Sequence, residues 1–318
     1  ETISKPPTRW SMRLWRGVVF AVAYGSLAFQ SAVAEPLAYA INSDSFSESL
    51  HDHVLRVDLA TGEFEDIGSM RLGGAVAPFL DTEGLALDLD GQLWAVDDGT
   101  KTFFRIDTTT RAAAIPGNQI GNLGLPTGIT AGLDLGLTFA CDGEVFMSGE
   151  VSRTLYRIDP SNGRATPVGS LGALGFKITD LAVYGDLLIG LGSEGDEGVY
   201  AIDRVSGTAQ PIGDFSSSVR FNDGGIGFDA QGQLWAIVEE GGAVPSRIYR
   251  IDLATGRETL VTTSTPGIES LAVTPPQCPV GPEPLPLEVP AVASTPLGIL
   301  MLVVVLVGLV ALTRMRAT

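Results

Sequence analysis

The 318-residue chain reads as all-β, a five-bladed β-propeller whose N-terminal strand closes the last blade, followed by one C-terminal transmembrane helix. Two repeated phrases and one broken repeat carry that reading. The first phrase is "YRIDLATG", Tyr249 to Gly256, with earlier versions in "LRVDLATG" from Leu55, "FRIDTTTR" from Phe104, "YRIDPSNG" from Tyr156 and "YAIDRVSG" from Tyr200. Tyr249 and Ile251 alternate with Arg250 and Asp252, the period-two pattern of a strand with one packed face. The closing Asp hydrogen-bonds its own backbone two residues on, and the Gly or Asn behind it accepts positive φ, so each copy ends in a tight turn. The markers Asp58, Asp107, Asp159, Asp203 and Asp252 are separated by 49, 52, 44 and 49 residues. A period in this range, filled with short strands, belongs to propeller blades. Six blades are the alternative count.

The second phrase precedes the first at a fixed offset. "GLALDLDGQLWAVDDG" begins at Gly84 and "GIGFDAQGQLWAIVEEG" at Gly225, with weaker versions in "DLAVYGDLLIGLGSEG" from Asp180 and "GLDLGLTFACDGEVFMSGE" from Gly132. Each is two strands joined by an Asp/Gly turn. The first half is small and apolar, as the innermost strand of a blade must be where strands crowd the axis. The last repeat is broken: "ESLAVTPPQ", from Glu269, has no "LWAV" strand after it, and the missing strand stands at the other end of the domain as "LAYAIN", Leu37 to Asn42. The expectation is ring closure, with no sheet edge left open.

The flanks follow different rules. Residues 1–34 comprise upstream residues and a signal peptide: "RLWR" after Met12, the apolar run "GVVFAVAYGSLAF", and an A-x-A site ending at Ala34, the order of a secretory leader. The propeller is assigned to residues 35–274. Residues 275–296 form a Pro-rich linker. Residues 297–318 hold "LGILMLVVVLVGLVALT" and the basic tail Arg314 and Arg316, read as a membrane-spanning helix whose arginines stay in the cytoplasm. A plain tail anchor is one reading of this end. The other comes from a resemblance: Val289 and Pro290 ahead of the apolar run, Gly298 at its start, and Arg314 and Arg316 behind it resemble the bacterial C-terminal sorting signals processed by exosortase-type membrane proteases. That resemblance implies a sorting protease as partner and a final placement at the cell surface. It departs from the signal's pattern at Ala291, in lacking a Trp, and in extra spacing before Gly298.

The whole chain carries a formal charge of −17. Setting aside the leader and the basic tail leaves about 14 basic and 36 acidic residues, near −22, which opposes nucleic acid and favours cations. Cys141 and Cys278 are the two cysteines, a candidate disulfide in an exported protein.

Chemistry is sought at the starts of the innermost strands, which ring one mouth of the axial channel. Glu83, Asp180, Asn222, Asp223 and Glu269 stand there, and converging carboxylates hold a hard cation such as Ca²⁺. The chain is similar to the broad group of propellers that includes the gluconolactonase and paraoxonase families, and that resemblance implies a metal in this place. The register is imperfect: Glu83 and Glu269 coincide, Asp180 falls one position later and Asp223 one earlier. A second acidic set follows the "LWAV" strands: Asp44, Asp97, Asp98, Glu150, Glu194, Asp196, Glu197, Glu239 and Glu240. It reads as a solvated loop face, with a rim for a cationic ligand as the alternative. "DLDG", Asp88 to Gly91, lacks the spacing of an EF-hand loop and reads as a hairpin turn. His51 and His53 lack a third ligand nearby, and Trp94 and Trp235 occupy one repeat position as packing residues. No nucleophile elbow or phosphate loop is present. The reading is a tethered binding or scaffold module for an unknown surface ligand, with a metal-dependent hydrolase of the lactonase type as the alternative.

Overall fold

The computed structural model describes residues 36–43, 50–79, 81–125 and 134–278. The expected leader, most of the linker, the sorting motif (Val289, Pro290, Gly298, Arg314, Arg316), the apolar helix and Asp44 lie outside these residues. Within them the chain is a five-bladed β-propeller. Four antiparallel four-stranded sheets follow in order. Blade 2 is Thr82–Leu87, Leu93–Asp97, Thr102–Ile106 and Ala113–Ala114. Blade 3 is Leu135–Phe139, Val145–Gly149, Thr154–Ile158 and Ala165–Pro167. Blade 4 is Ile178–Tyr184, Leu187–Gly192, Gly198–Ile202 and Ala209–Asp214. Blade 5 is Asp223–Phe228, Leu234–Glu239, Arg247–Asp252 and Arg257–Thr263.

Blade 1 is assembled from both ends of the domain. Leu37–Asn42 pairs with His53–Asp58, which pairs with Phe64–Ser69. On its other side Leu37–Asn42 bridges the C-terminal segment at Tyr39–Ala272 and Asn42–Ile268. The two Tyr39–Ala272 backbone bonds measure 2.9 and 2.8 Å. "ESLAV" is thus the innermost strand of blade 1 and "LAYAIN" the second, so the break in the repeat is the seam of the ring.

Burial is divided equally. Each of the five blade interfaces holds its own apolar cluster: Ile41, Val54 and Phe104 between blades 1 and 2; Phe103 and Met147 between 2 and 3; Phe146 and Leu188 between 3 and 4; Leu191 and Ile226 between 4 and 5; Leu55 and Ile237 between 5 and 1. A ring of such interfaces has no free face, and burial closes on itself. Near the axis the strands approach so closely that a Cβ on Gly136 would lie 2.4 Å from Asp180 Cα, which explains the glycines of the innermost phrase.

The repeated Asp residues make the turns. Asp58, Asp107 and Asp203 each accept backbone N–H bonds from residues two and three further on, at 2.7–3.1 Å. In the copy without a Gly, Arg111 takes the turn's positive φ of 63°. The "DLDG" turn is confirmed as a hairpin: Asp88 accepts from Asp90 N at 3.0 Å and Gln92 N at 2.8 Å. Its second oxygen takes the Trp94 Nε1 proton at 2.8 Å, and Asp229 holds Trp235 at the same distance. That pairing fixes the two indoles as packing groups.

Candidate functional site

Alternation along each blade decides which residues share a face. Innermost strands start, and second strands end, at one mouth of the channel. At that mouth the structure forms a cavity of about 300 Å³ lined by Asp81, Glu83, Asp134, Glu194, Asn222, Asp223, Glu239 and Glu269. All five blades or their leading loops contribute, and among the described residues no Lys or Arg is part of the lining. Four of the five expected residues, Glu83, Asn222, Asp223 and Glu269, meet here.

Asp180 does not line the cavity. It is fully buried below it, where its carboxylate accepts the backbone N–H of Leu137 in blade 3 at 3.1 Å and of Ile226 in blade 5 at 2.8 Å. A register shift between Ile178 and Asp180 puts an extra residue at the start of this strand, and such a bulge re-aims the side chains beyond it. Asp180 therefore ties three innermost strands together, which is a structural task.

Asp81, Asp134 and Asp98 complete the cluster. Single carboxylate oxygens of Glu83, Asp134 and Asp223 lie within 4.8 Å of one another, and the same holds for Asp81, Glu83 and Asp98. Oxygens on opposite sides of a Ca²⁺ ion stand about 4.6–5.2 Å apart, so the donors fit such an ion without large movement. Existing bonds hold several of them. Glu83 accepts Leu135 N at 2.6 Å, Asp223 accepts the Thr179 hydroxyl and Gly224 N, and Glu269 accepts the Ser43 hydroxyl.

The second acidic set departs from a solvated face. Asp97, Asp98, Glu150, Glu197 and Glu239 are all buried, because the loops that follow the second strands fold inward over the blade tops. Asp97 organises its loop through Thr100, Thr82 and Asp81 N. Buried and exposed members alike meet basic groups: Glu197 pairs with Arg220 at 3.1 Å, Glu240 with Arg247 at 2.9 Å, Glu194 with Lys177, and Asp98 with Lys101. His53 pairs with Asp66 at 2.9 Å and His51 lies 3.6 Å from Asp52. Beside the mouth, between blades 4 and 5, a second cavity of about 440 Å³ shares Glu194 and Asn222 with the first and adds Arg220 and Glu240.

The charges explain the electrostatics of the mouth. Burial pushes the Glu83 and Asp223 carboxyls well above the usual range, and neighbouring carboxylates push them further: Asp134 and Asp98 for Glu83, Glu269 and Glu83 for Asp223. Asp81 is raised to about 7 by burial and by Asp98 and Asp97. Glu150 rises to about 9 through burial and its contact with Asp134. Carboxylates gathered in this way cannot all be ionised on their own; protons or a cation must neutralise them.

No family model and no curated protein matches the sequence. Solved propellers share its chain path distantly. A gluconolactonase from Xanthomonas campestris is 16% identical over 69% of this chain and 74% of its own, with a TM-score of 0.41. Regucalcin from Agrobacterium tumefaciens, a calcium-binding protein, is 16% identical over 76% of each chain at 0.42. A virginiamycin B lyase from Staphylococcus aureus is 15% identical over 71% and 70% at 0.40. What the mouth does rests on its own geometry.

Proposed function

We propose that this propeller is a binding module whose working part is the acidic mouth of its channel, and that the mouth holds a hard divalent cation of the Ca²⁺ class. The observation behind this is the excess of acid at the cavity: among the described residues seven carboxylates and one amide line it, and Lys177 reaches Glu194 from outside the lining. Ca²⁺ takes six to eight oxygen ligands at 2.3–2.6 Å, from carboxylates, carbonyls and water. The test is calorimetric titration of the protein with CaCl₂ at neutral pH. Saturable binding abolished in Glu83→Gln supports the proposal, and absence of any heat of binding with Ca²⁺, Mg²⁺ or Mn²⁺ overturns it.

The side cavity favours a second reading, the lactonase-type hydrolase. It gives an organic ligand room beside the cation, and a bound cation would there polarise an ester carbonyl. Cation-dependent turnover in a lactone and arylester screen would support that reading; binding without turnover leaves the module a receptor or scaffold.

Placement forms part of the proposal. The leader-like N-terminus, the acidic domain, the Pro-rich spacer and the apolar run with its trailing arginines support export and C-terminal tethering, with the propeller facing the periplasm or exterior. In a host with an exosortase-type protease, the mature chain is expected to end near Pro290 and to lack Arg314. Mass spectrometry of the native C-terminus tests this, and recovery through Thr318 would leave a plain anchor.

A further inference from the structure

The chain continues past the seam of the ring. After Val273, residues Thr274–Cys278 run as a strap across the end of the channel opposite the acidic mouth. The Thr274 hydroxyl donates to the Phe228 carbonyl of blade 5 at 2.8 Å. The Gly185 N–H of blade 4 donates to the Gln277 carbonyl at 2.8 Å, beside a parallel bridge between Tyr184 and Gln277. Cys278 then joins Cys141 in the turn of blade 3 by a disulfide, with the two Cα atoms 5.5 Å apart. Above the strap the innermost strands end in aliphatic and aromatic side chains, among them Leu87, Val183, Phe228 and Val273. Pro275 and Pro276 close this floor, leaving a residual cavity of about 30 Å³.

We propose that the Cys141–Cys278 bond is a redox-sensitive clasp: oxidised, it holds the strap over the channel floor; reduced, it lets the strap leave and opens the apolar end of the channel. Three observations converge on this. Residues Thr274, Pro275, Pro276 and Gln277 are only half-buried, so the strap has little burial of its own to keep it in place. Among the described residues, two hydrogen bonds join it to the blades, from the Thr274 hydroxyl to Phe228 and from the Gly185 N–H to Gln277. The bond fastens the strap at its far end to blade 3, so cutting it returns the backbone freedom of the strap residues to the open state. Access is also provided, since Cys278 is exposed and Cys141 half-buried.

The step balances with a dithiol as co-reactant. Its thiolate attacks one sulfur of the clasp and forms a mixed disulfide, and its second thiol displaces the protein sulfur. Two electrons and two protons end on Cys141 and Cys278, and the reductant leaves as its own disulfide.

Amide hydrogen exchange of the full chain, before and after dithiothreitol, tests the clasp, with both thiols counted by alkylation. The Gly185 amide is expected to exchange at least tenfold faster after reduction, while the Leu137 and Ile226 amides bound to Asp180 keep their protection. Unchanged protection at Gly185 with both thiols free overturns the proposal. So does equal acceleration at Leu137 and Ile226, because the bond would then support the whole fold and not a local strap. Cys278→Ser without reductant must reproduce the reduced pattern, and an oxidised pattern in that variant also overturns it.

Discussion

The two ends of one channel are built from the same five innermost strands and carry opposite electrostatics. At the mouth, carboxylates outnumber the basic groups that reach them, Lys177 at Glu194 and Glu150 and Lys101 at Asp98, and burial with mutual repulsion raises Asp81, Glu83, Glu150 and Asp223. On the floor side of the blades, the acids in the outer turns after the third strands sit singly and are held down by hydrogen bonds: Thr110 and Thr109 N–H for Asp107, the Ser161 hydroxyl and N–H for Asp159, Ser206 and Val205 N–H for Asp203. Floor acids therefore stabilise the fold, whereas mouth acids work against it until something neutralises them. A protein that keeps a cost at one end of a repeat while satisfying the other end is expected to use the costly end.

Asp180 lies between the two regions, and removing it should have the largest effect of a single side chain. Asp180→Ala leaves the buried N–H groups of Leu137 and Ile226 without their acceptor, at about 1–3 kcal/mol each. A loss of about 3–5 kcal/mol in urea unfolding is expected, with Ca²⁺ stoichiometry unaltered in the fraction that remains folded. A variant with native stability and no cation binding would place Asp180 in the mouth after all.

Cation binding comes next. At a hundredfold excess over its dissociation constant, an ion that binds only the folded state adds about 2.7 kcal/mol. For a domain of this size that amounts to about 5–10 °C in Tm. Differential scanning fluorimetry with CaCl₂ and then EGTA reads it directly, and a shift that survives in Glu83→Gln would move the site elsewhere.

The pH response separates the two ends without mutation. A carboxyl whose folded pKa is raised contributes stability below its unfolded pKa and loses it as pH rises through the folded value. In cation-free protein the mouth should lose stability from its ordinary value of 3.8 up to about 7 through Asp81, and on toward about 9 through Glu150. The floor acids, whose pKa values are lowered, should lose their contribution only as pH falls below about 4. Tm in EGTA is thus expected to peak near pH 4–5 and to decline toward pH 8, with Ca²⁺ removing the decline. A flat profile from pH 5 to 8 in EGTA would show that the mouth carboxylates do not repel as the geometry requires.

Legibility of the two ends in the sequence differed for a physical reason. Turn acids such as Asp58 and Asp107 act on their own backbone two or three residues away, so a local pattern reveals them. The seam was legible too, because a blade with one strand missing at Glu269 and a spare strand at Leu37 have one simple solution. Glu83, Asp223 and Glu269 could be found because innermost strands start at a common mouth. Asp81 and Asp134 sit just ahead of their strands, in connections that do not repeat, and only the fold brings them in. Asp180 shows the limit most clearly: one extra residue before it redirects the carboxylate from the cavity to neighbouring backbones, and no pattern in this single sequence distinguishes the two outcomes. The burial of Glu150 and Glu239 was hidden for a similar reason, since a run of acids after a strand looks the same whether its loop projects or folds inward.

The smallest effects should differ in sign, which is the sharpest check on the contrast. Asp88→Asn keeps an oxygen for the Asp90 and Gln92 backbone amides but turns an NH₂ group toward Trp94 Nε1 and Gln92 Nε2, so the hydrogen bonds they donate at 2.8 and 3.3 Å are lost. A loss of about 1 kcal/mol is expected, with the Ca²⁺ titration unaffected. Glu83→Gln is the matching change at the mouth. Its amide oxygen still accepts the Leu135 N–H that Glu83 accepts at 2.6 Å, while its charge disappears from among Asp134, Asp98 and Asp81. At pH 8 in EGTA this variant should melt slightly above the native protein, and in saturating Ca²⁺ below it, because the native protein alone gains the ion. Two unfolding curves per variant decide the matter: if Glu83→Gln is destabilised in EGTA as Asp88→Asn is, the mouth acids are structural and the cation has no place in this molecule.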